Sequence, residues 1–254
     1  MLSRSGLRAA LAAVAALGLT ATTVLPAAAF TDQEKAELGP LIRDYLVKNP
    51  EVLQEAIAVL EKRQSDAEAQ ARKQSLASIK STVFDSPRGV VIGNPKGNVT
   101  LVEFFDYNCG YCKHALQDIN ALIKANPNLK VVLREFPVLG PGSVEAAQVA
   151  VTVRMVAPDK YRAFHDILLA GRGQADRARA LAAAKEAGID TALLQKQASS
   201  PELNATLDES MKIAQALGLN GTPSFVIGDD VIVGAVGQEK LQEAITANAK
   251  AAAN

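Results

Sequence analysis

The chain contains two cysteines, Cys109 and Cys112, set in "FFDYNCGYCKHAL" (104–116), after an apolar run and before one of helical character. Their spacing constrains the fold more than any other feature. A disulfide stabilises more when it closes a longer loop, and this one would enclose only Gly110 and Tyr111. Such a bridge staples almost nothing, so the pair reads as a reversible redox couple. The flanking patterns predict a buried strand over Val99–Phe105 and a helix from the first cysteine to about Asn126. "LKVVLREFPV" (129–138) predicts a further strand, so the CxxC opens the helix of a strand–helix–strand unit.

A thiolate, not a thiol, attacks disulfides. A helix start presents unpaired N–H groups and the positive end of the helix dipole, and both favour a negative sulfur. Cys109 is therefore the expected exposed nucleophile. Cys112, one turn further in, is the expected resolving thiol of a mixed disulfide. Zinc is a competing reading of CxxC, but a closed zinc site takes about four ligands. Only His114 and His165 could join, and His114 follows Cys112 by two residues on the same predicted helix. His165 in "YRAFHDILL" reads as a helix-surface or satisfied core histidine. No metal and no cofactor is expected. A thiol-based copper-binding protein is the reading from another class, since two close sulfurs can hold Cu(I). Met155 and Met211 fall in predicted helices and add no further ligand to that pair.

The rest of the chain supplies context. Arg4 and Arg8 precede an uncharged apolar stretch (9–25), followed by Pro26 and three alanines. This predicts a signal peptide, residues 1–29, cleaved after Ala29; a retained anchor helix is the alternative. Export places the cysteines in an oxidising compartment. The 27 basic and 27 acidic side chains balance, which gives no electrostatic case for nucleic acid. "TDQE" (31–34) reads as a capping box, and Leu38, Leu41, Ile42, Tyr45 and Leu46 recur at helical spacing. A second helical run carries Val52, Leu53, Ile57 and Leu60, then turns polar with a weak stripe through Ala67, Ala71 and Ser75. Residues 30–84 are thus expected to form a helical arm that buries its stripe against copies of itself, with a catalytic domain over 85–254. Packing of that stripe on its own domain is the competing reading. A helical block fills about 141–218, then two short strands around Asp229-Asp230 and a closing helix over Gln238–Ala252.

Pro223, in "GLNGTPSFVIG", stands immediately before one of those strands. Alone it reads as a trans proline at a strand's first residue. Taken with the CxxC at a helix start, the final hairpin and the closing helix, it resembles the thioredoxin fold. The long helical block is similar to the insertion of the DsbA-type periplasmic oxidoreductases, and the likeness covers roughly 90–250. The expected class is α/β: a thioredoxin fold with a helical insertion, preceded by an N-terminal helical oligomerisation arm.

That resemblance implies a cis peptide before Pro223, facing the CxxC, with Thr222 shaping the active surface. It also implies a proton-relaying acid six residues before the first cysteine, where Glu103 stands. Gly110-Tyr111 and Thr222 are similar to the disulfide isomerases of the DsbC type rather than to the oxidases. The combination with a helical arm is most similar to the ScsC (suppressor of copper sensitivity) type. The implied activity is that of a homo-oligomeric protein disulfide isomerase acting through Cys109 and Cys112 on misfolded secreted proteins. Gly110, Tyr111, Thr222 and Pro223 would contact the client, and a membrane thiol–disulfide reductase would reset the couple. A monomeric DsbA-like dithiol oxidase is the alternative within the class.

Overall fold

A computed structural model describes residues 30–253. The expected signal peptide, residues 1–29, lies outside the described residues. The chain divides into two compact units, Met1–Val59 and Leu60–Asn254.

The first unit carries α1 (Asp32–Lys48) and the opening turns of α2 (Glu51–Asp85). The capping box forms: the Thr31 hydroxyl accepts from the Glu34 N–H, and the Glu34 carboxylate accepts from the Thr31 N–H at 2.7 Å. No residue of α1 is buried. Leu41, Ile42, Tyr45, Leu53 and Ile57 are all exposed, Leu41 to 66%. Each such side chain contributes about 1.5–3 kcal/mol when fully buried, so this stripe leaves a large driving force unspent.

The second unit begins on α2 and corrects the expected boundary at 84/85. Ala67 and Ala71 are exposed, whereas Leu76 and Val83 are fully buried. These two pack with Val102, Phe104, Val132 and Val226 of the sheet, and half-buried Ile79 and Phe84 join them. The helix breaks its geometry at Ile79 (φ −121°, ψ 15°). Arg134, fully buried, donates to the carbonyls of Thr82 and Val83 and pairs with Glu209 at 2.6 Å. A cation on the last carbonyls of a helix satisfies groups that have no partner within it. Residues 76–84, assigned from sequence to the arm, are therefore core of this unit. The sequence conceals this because their apolar residues are few and follow a long polar stretch.

Five strands follow: β1 (Val90–Gly93), β2 (Val99–Phe105), β3 (Leu129–Glu135), β4 (Ser224–Ile227) and β5 (Asp230–Val233), ordered β1-β3-β2-β4-β5. β2 and β3 are parallel, joined through α3 (Gly110–Ala125), and every other pairing is antiparallel. Between β3 and β4 lies the expected insertion: α4 (Pro141–Val156), a short 3-10 turn, α5 (Tyr161–Ala170), α6 (Arg177–Glu186), α7 (Thr191–Gln197) and α8 (Pro201–Ala216). α9 (Gly237–Ala253) closes the chain.

The alternation of β2 sorts the two faces. Leu101 and Phe105 join the core with α3, α5 and α9, while Val102 and Phe104 face α8 and the end of α2. The β4–β5 hairpin turns at Gly228-Asp229, one residue earlier than expected. Gly228 has φ +57°, a conformation that favours glycine, and a Cβ there would also force the Asn248 side chain to move.

Candidate active site

β2 ends at Phe105, and four residues carry the chain to the start of α3. Cys109 is the N-cap of that helix, with extended backbone, and its N–H bonds the Asp106 carbonyl at 3.0 Å. Its side chain accepts no hydrogen bond from the N–H groups of the first turn, which have no partner within the helix. Both cysteines are free thiols. The Thr222–Pro223 peptide is cis, and the Cys109 thiol donates to the Thr222 carbonyl at 3.1 Å. One expectation is corrected here: Cys109 is only 6% exposed. The loop ahead of β4 lays the Thr222 carbonyl on the sulfur, so little of the residue remains open to solvent.

Cys112, one turn along α3, is completely buried. Burial pushes its thiol far above the ordinary range, and a hydrogen bond with the Asp106 backbone works against that. The nearby Glu103 carboxyl and Cys109 push it further up. Glu103 is on β2, facing the same core, and is 2% exposed with no hydrogen-bond partner on Oε1. Desolvation raises its pKa to about 8. A buried acid with a vacant oxygen beside a buried thiol can exchange a proton with it. Tyr111 is 68% exposed, and a Cβ at Gly110 would meet nothing within 4 Å. The structure thus brings Cys109, Cys112, Glu103, Thr222 and Pro223 together, with Gly110 and Tyr111 on the open side.

The protonation of Glu103 is coupled to folding. Its folded pKa, about 8, exceeds the ordinary 4.5, so between those values the folded state holds a proton that the unfolded chain has released. Stability therefore falls as pH rises through that window. Glu103→Leu removes the penalty, and its gain should grow from near zero at pH 4.5 to roughly 3–5 kcal/mol above pH 8. Denaturant titrations of the reduced protein at pH 5 and 8.5 check this; an equal gain at both would contradict it.

Sequence reasoning missed the groups that hold the loop. Asp106, 1% exposed, accepts from the Asn108 N–H and Ser143 hydroxyl on one oxygen and from the Val138 and Leu139 N–H groups on the other, all within 3.0 Å. Beneath it, Glu135 at the end of β3 accepts from the Tyr161 hydroxyl at 2.7 Å. The Tyr107 hydroxyl bonds His165 Nδ1 at 3.3 Å. Burial raises Glu135 to about 8 and lowers His165 to about 3, so His165 is a neutral core histidine. The available signal was charge out of place: Asp106 follows Phe104-Phe105, and Glu135 lies two residues after Leu133 and directly before Phe136.

Comparison with known proteins places this geometry. A model of the DSBA-like thioredoxin domain matches residues 100–246. The chain belongs to that family. Ahead of this DSBA-like domain, a model of the copper resistance protein ScsC N-terminal domain matches residues 34–67. The crystal structure of a thioredoxin-like oxidoreductase from Silicibacter pomeroyi is 44% identical, covering 67% of this chain and 98% of that one with a TM-score of 0.65. Proteus mirabilis ScsC in a transitional conformation is 31% identical, covering 87% of this chain and all of that one, TM-score 0.65. Among curated relatives, a Na(+)/H(+) antiporter NhaA of Salinispora arenicola is 27% identical over 164 residues; the chain spans about a quarter of its length. The thioredoxin-like fold and the ScsC-like N-terminal region expected from sequence are thus both present in this DSBA-like protein.

Proposed function

We propose that this protein is a periplasmic thiol–disulfide oxidoreductase that works as a homo-oligomeric disulfide isomerase. The observation that carries the reading is the asymmetry of the thiols: Cys109 caps a helix at an opening beside cis-Pro223, while Cys112 is sealed behind it next to the unpartnered Glu103. Cys109 attacks one sulfur of a client disulfide; that S–S bond breaks, a Cys109–client bond forms, and the second client sulfur leaves as a thiolate. That thiolate attacks another client disulfide, and a further client thiolate displaces Cys109. Client disulfides are rearranged with no net oxidation.

When a client stalls, Cys112 passes its proton to Glu103 and attacks the Cys109 sulfur. The client leaves reduced by two electrons and the protein is left with a Cys109–Cys112 disulfide. A membrane thiol–disulfide reductase must then restore the dithiol. Glu103, at about 8, is largely protonated at neutral pH, which slows this escape and favours rearrangement. Clients are misfolded exported proteins carrying wrong disulfides, held against Tyr111, Thr222 and Pro223.

The exposed stripe of the first unit and its match to an ScsC N-terminal domain support assembly through the arm. An apolar face this long implies a partner, and joined active sites raise the effective concentration of thiols around one client. The sequence pattern of 1–29, which reads as an export signal, supports the periplasmic assignment. The test is refolding of a scrambled multi-disulfide protein by the reduced full-length mature chain. Recovery of the native disulfides is expected; a chain that only oxidises dithiols, or that holds Cu(I) without exchanging disulfides, would overturn the reading.

A further inference from the structure

Between α5 and α6 the chain passes through Gly171-Arg172-Gly173-Gln174-Ala175, and both feet of this arch are fastened to residues flanking the cysteines. The Lys113 ammonium donates to the Gly171 carbonyl at 2.6 Å. Asn108 grips Ala175 reciprocally: its amide donates to the Ala175 carbonyl at 2.8 Å, and its carbonyl accepts from the Ala175 N–H at 2.7 Å. Asn108 precedes Cys109, and the Lys113 N–H bonds the Cys109 carbonyl at 3.2 Å. Five residues with both ends so anchored must stand beside the opening to Cys109. Gly173, at φ +81°, makes the turn at the crest. A Cβ on Gly142 would lie 2.8 Å from the Gln174 amide nitrogen, so that side chain folds back onto α4.

Arg172 is left as the arch's outward charge and is exposed. The Arg179 guanidinium lies against Gly171, 3.0 Å from where a Cβ would be, and Arg177 is exposed at the start of α6. Two carboxylates stand on this side: Asp176 caps α6 through the Arg179 backbone N–H, and Glu145 accepts from the Arg177 backbone N–H. Asp106 is buried and fully bonded. The rim on this side thus carries Arg172, Arg177 and Arg179 against the Asp176 and Glu145 carboxylates, an excess of positive charge that steers anionic segments toward it.

We infer that the Gly171–Ala175 arch is a specificity-determining rim whose cations, Arg172 foremost, select client disulfides flanked by carboxylates. The inference rests on the exchange activity proposed above, and its test separates the two. Two peptides, each carrying one cysteine as a mixed disulfide with 2-mercaptoethanol, differ only in Asp-Asp or Lys-Lys beside the cysteine. The reduced protein should react faster with the acidic peptide, and 0.5 M salt should compress the ratio. Arg172→Ala should lower that ratio about two- to fivefold, the scale of an exposed ion pair, Arg172→Glu further still, and Arg172→Lys should restore it. Rates with neutral bis(2-hydroxyethyl) disulfide should be the same in all four proteins. A ratio of one in the parent, or a ratio indifferent to Arg172, overturns the rim's role while exchange stands. No reaction with the neutral disulfide sinks the exchange reading and the inference with it.

Discussion

Replacing Cys109 with serine lowers disulfide exchange by about 10³-fold or more, the scale on which removal of a covalent nucleophile acts. Cys112 does not substitute for it, because its sulfur is wholly buried and its thiol is held protonated by that burial. The companion variant behaves differently. Cys112→Ser keeps the attacking sulfur and loses the escape step, so it accumulates mixed disulfides between Cys109 and clients. Non-reducing electrophoresis of each variant after exposure to a scrambled client distinguishes them: a ladder of adducts for Cys112→Ser and none for Cys109→Ser. Equal adduct formation by both would mean that either thiol can lead, contrary to the geometry.

Removal of residues 30–59 yields a monomer that still exchanges small disulfides but no longer rearranges scrambled clients. The cut belongs at Val59, where the first compact unit ends. A cut after residue 80 would delete Leu76, buried against the sheet, and expose the sheet face it covers. Loss of a buried leucine alone costs about 2–5 kcal/mol, so that longer truncation would confound assembly with stability. A milder probe replaces Leu41 and Ile42, both exposed in the single chain, with serine. Mass in solution and recovery of native disulfides are the two readouts. A truncated monomer that shuffles as well as the parent would show that assembly is unnecessary for isomerisation.

Much of the second unit could be read from sequence, because local and global signals agree there. The apolar run of Val99–Phe105, the helix opened at the first cysteine and the strand expected over 129–138 each select one structure, and the structure places an element at every one. The cysteine pair and Thr222-Pro223 were separated by more than a hundred residues, and only the resemblance joined them before the structure did. Three features lay beyond sequence reading. The second half of α2 is core through a few residues, Leu76 and Val83 above all, behind a polar run that reads as solvated. The exposure of Cys109 depends on a carbonyl from the Thr222 loop. The clamps on the active-site loop, from Asp106 and Asn108, join residues 32 to 67 positions apart, which no local pattern encodes.

The proposed chemistry requires that one sulfur meet the solvent-borne partner while the other waits behind it. Alkylation of the reduced protein by iodoacetamide near pH 7, with each cysteine followed by peptide mass, measures this directly. Cys109 should be labelled faster than an unstructured peptide thiol, and Cys112 should stay unlabelled until the protein is denatured. Labelling of Cys112 at a rate equal to that of Cys109, or of Cys109 no faster than the free peptide, would contradict it.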